Sequence, residues 1–205
     1  MPNARKLVLQ MQVSVDGFIG RRDSGAAWQL WDWCDDCPWD GDLIRQFNAF
    51  FETVDCILLS RPMAAGYAAH WADIARRLGD RPEFAFASRI CNTRKIAFSQ
   101  IRAGLLEAPE VEVANRPLKD FVEALRRGPG GTIVAFGGEA FASSLVAENL
   151  VDEYQFYVNP AALGAGRRIF DPSRGVTRLE LIDASSYRCG IIVQRYQPFE
   201  RQDPS

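Results

Sequence analysis

The stretch that decides the fold reads Thr132-Ile133-Val134-Ala135-Phe136-Gly137-Gly138-Glu139-Ala140. A short apolar run typical of a buried strand leads into two glycines, and a helical pattern follows at once. Glycine has no Cβ, so the backbone can turn sharply and a phosphate can come close. The first N–H groups of a helix are unpaired and carry the positive end of its dipole. The pattern therefore indicates a phosphate-binding turn at Gly137-Gly138, with a simple tight turn as the alternative.

Strand and helix patterns alternate on both sides of this turn, without a linker or repeat. They predict strands over 6–13, 56–59, 84–87, 96–98, 111–113, 132–136 and 153–158. Helices are predicted over 42–51, from Pro62 onward, over 119–126 and over 140–147. The last two strands, 178–182 and 191–196, predict an antiparallel hairpin. These βα units favour a single domain over 1–205 with a mostly parallel, mixed sheet and ligands at the carboxyl ends of its strands.

Composition narrows the class of protein. The net charge is −2, so no basic surface is available for non-specific nucleic-acid binding. No apolar stretch is long enough to span a membrane, and the N-terminus does not resemble a signal peptide. The chain has five cysteines, an odd number without framework spacing, which favours reduced thiols and a cytoplasmic protein.

Several kinds of catalytic site are disfavoured by the residues present. His70 is the one histidine, which argues against a His-rich metal site, and its helical surroundings favour a structural or surface role. Cys34 and Cys37 form a lone C-x-x-C in an acidic loop, where a redox or zinc role is disfavoured. We therefore expect no metal site.

Two Ser-Arg pairs add to the phosphate hypothesis. Ser60-Arg61 follows the predicted strand that ends at residue 59, and Ser88-Arg89 follows the one that ends at residue 87. A guanidinium suits phosphate because its planar fork donates two parallel hydrogen bonds. The alternative for each pair is a helix cap beside a solvated charge.

Two signatures resemble a known family. Residues 6–19 read KLVLQMQVSVDGFI, similar to the opening strand of the dihydrofolate-reductase-like superfamily and, within it, of the RibD C-terminal domain family. The second signature is GGE at 137–139, LVDEY at 150–154, NP at 159–160, LGAG at 163–166 and IF at 169–170; SYRCG at 186–190 fits the closing hairpin. The resemblance implies a three-layer α/β/α fold, a homodimer and an NADPH-dependent reductase of riboflavin biosynthesis type.

The resemblance also implies roles for individual residues. Gly137, Gly138 and Glu139, with Ala140 in the same turn, are expected at the pyrophosphate, and Ser88-Arg89 at the adenosine 2′-phosphate, which favours NADPH over NADH. The remaining expected cofactor contacts are the Ser60-Arg61 pair and three residues that flank the nicotinamide, Gln12, Val13 and Ile19. Asp16 and the pair Asp152-Glu153 match shared positions that are expected to be structural.

The substrate side departs from the family pattern. The chain lacks the arginine-rich segment with which riboflavin reductases hold a ribose phosphate, and residues 20–40, which are rich in tryptophan and aspartate, are predicted to form a long loop. Its tryptophans are expected to line a site for a flat, pterin-like or pyrimidine-like heterocycle: Trp28, Trp31, Trp33 and Trp39. Asp42 is a candidate proton donor or ring anchor, with a helix-start aspartate as the alternative.

Two other functions stay open. The chain could be a nucleotide-binding module of the same fold without turnover, which the missing arginines and Ser60 in place of a glycine favour. It could also be a dimeric scaffold with a redox-active pair at Cys34 and Cys37.

Overall fold

The computed structural model describes residues 5–20, 29, 39–98, 108–114, 116–170, 173 and 175–199. Its strands are β1 (Leu7–Ser14), β2 (Val54–Ser60), β3 (Arg94–Phe98), β4 (Val111–Ala114), β5 (Thr132–Phe136), β6 (Glu153–Asn159), β7 (Leu179–Ser186) and β8 (Ile192–Pro198). Its helices are α1 (Gly41–Thr53), α2 (Arg61–Leu78), α3 (Ala85–Asn92), α4 (Leu118–Arg127) and α5 (Glu139–Ala147), with a 3-10 turn over Pro82–Phe84.

The strands form one sheet in the order β4-β3-β2-β5-β1-β6-β8-β7. From β4 to β6 all neighbours are parallel, and β8 pairs antiparallel with both β6 and β7. The prediction of a mostly parallel, mixed sheet with a C-terminal antiparallel hairpin is confirmed. The central strand β1 lies between β5 and β6, so its carboxyl end is close to the glycine turn that follows β5.

Helices cover both faces of the sheet and create two cores. Helices α1, α2 and α3 pack on one face around aromatic side chains such as Phe47 and Trp71, and α4 and α5 pack on the other. Successive strand residues point to opposite faces. In β1, the core under α4 and α5 contains Leu7, Leu9, Met11 and Val13. The alternate residues Gln10 and Gln12 therefore face the α1–α3 side. This alternation delivers polar side chains to one face of the central strand.

The prediction of a strand over 84–87 is wrong. Phe84 closes the 3-10 turn, and α3 begins at Ala85 and runs to Asn92. Phe86 and Ile90 are four residues apart and both fully buried, which is the spacing of a helix face. A run of four apolar residues is too short to distinguish a strand from a buried helical turn.

Helices α1 and α2 begin where their sequences indicate. Asp40 caps α1 by accepting hydrogen bonds from the backbone N–H groups of Asp42 and Leu43. Helix α2 starts at Arg61 directly after β2, and Pro62 occupies its first turn, where the missing N–H costs nothing. Within the described residues, no helix has the length and apolar character needed to cross a membrane.

Candidate functional site

A cavity of about 390 Å³ lies at the carboxyl ends of β1 and β5, beneath the first turns of α2. This is the edge of a parallel sheet where ligands bind in α/β folds. Four expected cofactor residues lie around it: Gln12, Ile19, Gly137 and Gly138. The other described lining residues are Gln10, Met11, Gln29, Met63, Gly66, Tyr67, His70, Phe136 and Arg167.

Only one of the two glycines in the turn leaves room for a ligand to approach the backbone closely. Gly138 is the N-cap of α5, and within the described part of the chain no side chain caps that helix end. A Cβ added at Gly138 would meet no atom of the described residues within 4 Å, whereas one added at Gly137 would overlap the ring of Phe141. The uncapped N–H groups of α5 and the open space above Gly138 fit a phosphate group. Gly137 is needed for packing instead.

The three residues expected at the nicotinamide do not share one face. Gln12 and Ile19 line the cavity, whereas the Val13 side chain is buried in the core beneath α4 and α5. The expectation for Val13 is therefore wrong as regards its side chain, because strand neighbours point to opposite faces of the sheet.

Helix α2 contributes a wall that sequence reasoning missed. Met63, Gly66, Tyr67 and His70 line the cavity. Their spacing of i, i+3, i+4 and i+7 is the signal that could have identified one helix face in advance. Burial raises the pKa of Tyr67 well above its ordinary value, so its hydroxyl stays protonated. His70 was expected to be structural or on the surface; it is exposed, and it borders the cavity.

Arg167 reaches the cavity rim from the loop between β6 and β7. Backbone hydrogen bonds join Ile19 N to Arg167 O at 2.9 Å and Arg167 N to Gly20 O at 2.8 Å. The Asp16 carboxylate holds the same loop by accepting from the backbone N–H groups of Leu163 and Gly164. Hydrogen bonds from the Ser14 hydroxyl and these backbone groups lower the pKa of Asp16 to about 2. The structural role expected for Asp16 is what the contacts show.

The two Ser-Arg pairs differ in position. Ser60 ends β2 beside β5. Because Leu59 pairs with Phe136 in this parallel pair, Ser60 is level with Gly137 at the start of the glycine turn. Neither Ser60 nor Arg61 is among the described lining residues of the cavity. Ser88 and Arg89 lie inside α3, which leads into the amino end of β3, and Arg89 pairs with Glu52 at 3.0 Å. The expected 2′-phosphate site at Ser88-Arg89 therefore rests on a strand that does not exist and faces the opposite edge of the sheet.

The predicted substrate residues are only partly described. Trp28, Trp31 and Trp33, with Cys34 and Cys37, lie outside the described residues. Trp39 is 3% exposed and stacks on Tyr157 with ring centroids 5.6 Å apart, so it is a core residue and the expectation that it lines the substrate site is wrong. Asp42 is exposed, pairs with Arg45 and is not among the described lining residues. The alternative of a helix-start aspartate describes Asp42 better.

Comparisons with known proteins agree with this architecture. The chain is 26% identical over 177 residues to the uncharacterized protein YwjB of Bacillus subtilis strain 168, covering 86% of this chain and 89% of that protein. A structure of Acinetobacter baumannii RibD superposes with a TM-score of 0.67 at 15% identity, covering 97% of this chain and 59% of the RibD chain.

A dihydrofolate reductase from Enterococcus faecalis, in complex with NADP(H), superposes with a TM-score of 0.55 at 13% identity and covers 95% of this chain and 97% of its own. At these identities the structures show a shared fold. The sequence model of the RibD C-terminal domain matches residues 5–193. The chain is therefore a member of the RibD C-terminal domain family, and its fold is similar to that of dihydrofolate reductase.

Proposed function

We propose that the protein is an NADPH-dependent reductase that acts on a small, flat heterocycle of the pterin or pyrimidine type. The observation that carries the proposal is the cavity beside the amino end of α5, where no described side chain caps the helix or fills the space above Gly138. NADP(H) in the related dihydrofolate reductase supports the choice of cofactor. A substrate such as 5-amino-6-(5-phosphoribosylamino)uracil is the finer form of the proposal, and it rests on family membership.

The residues present fit the pyrophosphate and the nicotinamide of such a cofactor. The N–H groups of Glu139 and Ala140 begin α5, where they meet the positive end of the helix dipole and can hold a pyrophosphate. Gln12 and Ile19 line the cavity where the nicotinamide is expected, and Ser60-Arg61 lies at the neighbouring strand end. When bound, NADPH supplies a hydride. The chain's own task is to position the two rings and exclude water.

Reduction of a C=N or C=O group also needs a proton. The described residues that line the cavity include no Asp or Glu, and the one histidine of the chain, His70, is among them. Histidine is the side chain whose ordinary pKa is nearest neutrality. We therefore propose His70, in place of Asp42, as the proton donor. A His70→Gln variant is expected to keep NADPH affinity and lose turnover.

A titration with NADPH and NADH, read by tryptophan fluorescence and thermal unfolding, tests the cofactor. Ligand at about 100 times Kd is expected to stabilise the fold by about 2.7 kcal/mol. Tighter binding of NADPH than of NADH supports the proposal, and equal binding overturns the preference for NADPH over NADH. Absence of binding by either cofactor overturns the reductase assignment.

A nucleotide-binding module without turnover is the second candidate. The lack of an Asp or Glu side chain among the described lining residues favours it. Binding of NADPH combined with no oxidation of NADPH by any pterin or pyrimidine would select the module. The homodimer and the cytoplasmic location stay predictions, and light scattering of the purified chain measures the first.

A further inference from the structure

Two glutamines of β1 lie side by side at the cavity. Gln10 and Gln12 both line it, and they are two residues apart on one strand, so their side chains share a face of the sheet. A glutamine amide can present either its oxygen, which accepts hydrogen bonds, or its nitrogen, which donates them. The neighbouring strand β6 settles which atom each glutamine presents.

The orientation of Gln10 begins at Glu153. The Glu153 side chain is 2% exposed and accepts from Lys6 Nζ at 2.8 Å and Arg195 Nε at 2.7 Å. Burial alone would raise the pKa of Glu153, but hydrogen bonds from Arg195, Gln155 and Lys6 outweigh it and lower the pKa to about 2. Glu153 is therefore an ionised group that can only accept. Gln155 must turn its Nε2 toward it, and does so at 2.9 Å.

The orientation of the Gln10 amide follows from that of Gln155. With its Nε2 on Glu153, Gln155 presents Oε1, which accepts from Gln10 Nε2 at 3.0 Å. Gln10 Nε2 also donates to the Tyr157 hydroxyl at 3.3 Å, so both of its N–H groups are used. Gln10 Oε1 accepts no hydrogen bond within the described part of the chain and is not sealed from solvent. The oxygen of Gln10 therefore opens into the cavity as an acceptor.

Gln12 has the opposite orientation. Asn159 Nδ2 donates to the backbone oxygen of Tyr157 at 3.0 Å and to Gln12 Oε1 at 2.7 Å. A backbone carbonyl can only accept, so the Asn159 amide cannot be turned round without losing that bond. Gln12 Oε1 is thereby occupied, and Gln12 Nε2 has no acceptor among the described residues. Gln12 offers the cavity a donor.

We propose that this pair recognises an amide-type edge of a planar ligand, with an N–H donor facing Gln10 and a carbonyl or ring nitrogen facing Gln12. Glu153 is then a positioning residue, which acts on the ligand through Gln155 and Gln10. The proposal rests on the proposed reductase function and names the chemistry that its site selects. Such an edge occurs in the lactam of a pyrimidine or pterin substrate and in the carboxamide of the nicotinamide.

If the charge of Glu153 is removed, the orientations of the Gln155 and Gln10 amides are no longer determined. A neutral amide in a Glu153→Gln variant can present either oxygen or nitrogen to Gln155, so Gln155 and Gln10 are free to turn round. In protein molecules whose Gln10 amide has turned round, Gln10 presents N–H groups to a ligand that also presents N–H. The hydrogen bond from the ligand to Gln10 is then lost, and only the one to Gln12 remains. Gln155→Met breaks the same chain without touching the Lys6–Glu153–Arg195 ion pairs. Gln194→Met makes the same chemical change on β8, on the opposite face of the sheet from Arg195, and serves as the control.

Two pairs of probes distinguish the two ligand sources. Lumazine is compared with 1,3-dimethyllumazine, in which both lactam N–H groups are methylated. NADPH is compared with the reduced 3-acetylpyridine analogue, in which a methyl replaces the carboxamide NH₂. Dissociation constants are measured by tryptophan fluorescence and calorimetry for the wild type, the two relay variants and the control.

The wild type is expected to prefer the N–H probe of at least one pair by roughly ten-fold, the scale of one hydrogen bond of the site. The preference is expected to fall to about two-fold in Glu153→Gln and Gln155→Met and to persist in Gln194→Met. The pair of probes whose preference falls shows whether the recognised edge belongs to the substrate or to the nicotinamide. A steric penalty from methylation would persist in the relay variants, so it cannot produce this result.

Two outcomes overturn the inference: no preference in either pair, or a preference that both relay variants retain. If Glu153→Gln fails to fold, Gln155→Met decides alone. Failure of the proposed function is read separately, because NADPH then does not bind at all, whereas the lumazine pair still reports on the two glutamines.

Discussion

Alanine substitutions at the two adjacent glycines are expected to have opposite effects. Gly138 has φ −74° and ψ 178°, which alanine adopts without strain, and its added Cβ would project into open space. That space is where the proposed pyrophosphate lies. At Gly137 an added Cβ would overlap the Phe141 ring and lie 3.2 Å from Phe141 Cβ. Gly138→Ala therefore disturbs the ligand, and Gly137→Ala disturbs the fold.

The magnitudes follow from these contacts. Gly138→Ala reduces the conformational entropy of the unfolded chain and is therefore expected to stabilise the protein by about 0.4–1 kcal/mol. For a domain of this size that raises Tm by roughly 1–4 °C. A methyl group against the pyrophosphate is expected to weaken NADPH binding by ten-fold or more, about 1.4 kcal/mol. Gly137→Ala is expected to cost about 1–3 kcal/mol, because the Phe141 ring must move within a packed core.

Thermal unfolding with and without NADPH measures both effects in one experiment. We expect Gly138→Ala to unfold at or above the wild-type temperature and to gain little from NADPH. We expect Gly137→Ala to unfold several degrees lower, by roughly 2–12 °C. Wild-type NADPH affinity in Gly138→Ala would refute the placement of the pyrophosphate at this turn. Equal destabilisation by the two substitutions would refute the difference in packing between the two glycines.

Three further predictions concern residues outside the turn. The pKa of Glu153 is about 2 in the folded protein against an ordinary 4.5, so the charged carboxylate stabilises the fold above pH 4.5 and this stabilisation is lost as pH falls toward 2. Its size is roughly 3 kcal/mol. Denaturant unfolding at several pH values should show this pH-dependent component in the wild type and not in Glu153→Gln. Trp39→Ala is expected to lower the free energy of unfolding by about 3–5 kcal/mol while folded protein keeps its NADPH affinity, which calorimetry below Tm can check. Arg89→Met should leave the ratio of NADPH to NADH affinity unchanged, since Arg89 pairs with Glu52 at the far edge of the sheet; a loss of NADPH preference would restore the 2′-phosphate assignment.

Local patterns along the chain were enough to predict most of the elements. The apolar run before Gly137 predicted β5, and the alternation of βα units predicted a mostly parallel sheet with an antiparallel hairpin at its end. These signals are local, because glycine, proline and capping residues act on the backbone within a few positions. The strand expected over 84–87 shows where local signals fail, since the same four residues suit a buried helical turn.

Positions at the site could be predicted only in part. The resemblance placed Gln12 and Gly138 near a cofactor, and both lie at the cavity. It could not show that Val13 is turned away or that Trp39 stacks on Tyr157 in the core. An aromatic residue in a long loop has the same sequence signal whether it lines a ligand site or fills the core.

By itself, the sequence determined most of the succession of strands and helices, the glycine turn and the family. Only the tertiary structure decided which side chains meet at the cavity. Gln10 was not identified from the sequence because its role depends on Gln155, 145 residues away, and on the buried charge of Glu153. The physical reason is that backbone preferences are short-ranged, whereas the face a side chain presents and the atoms it offers are set by sheet register and by partners far along the chain.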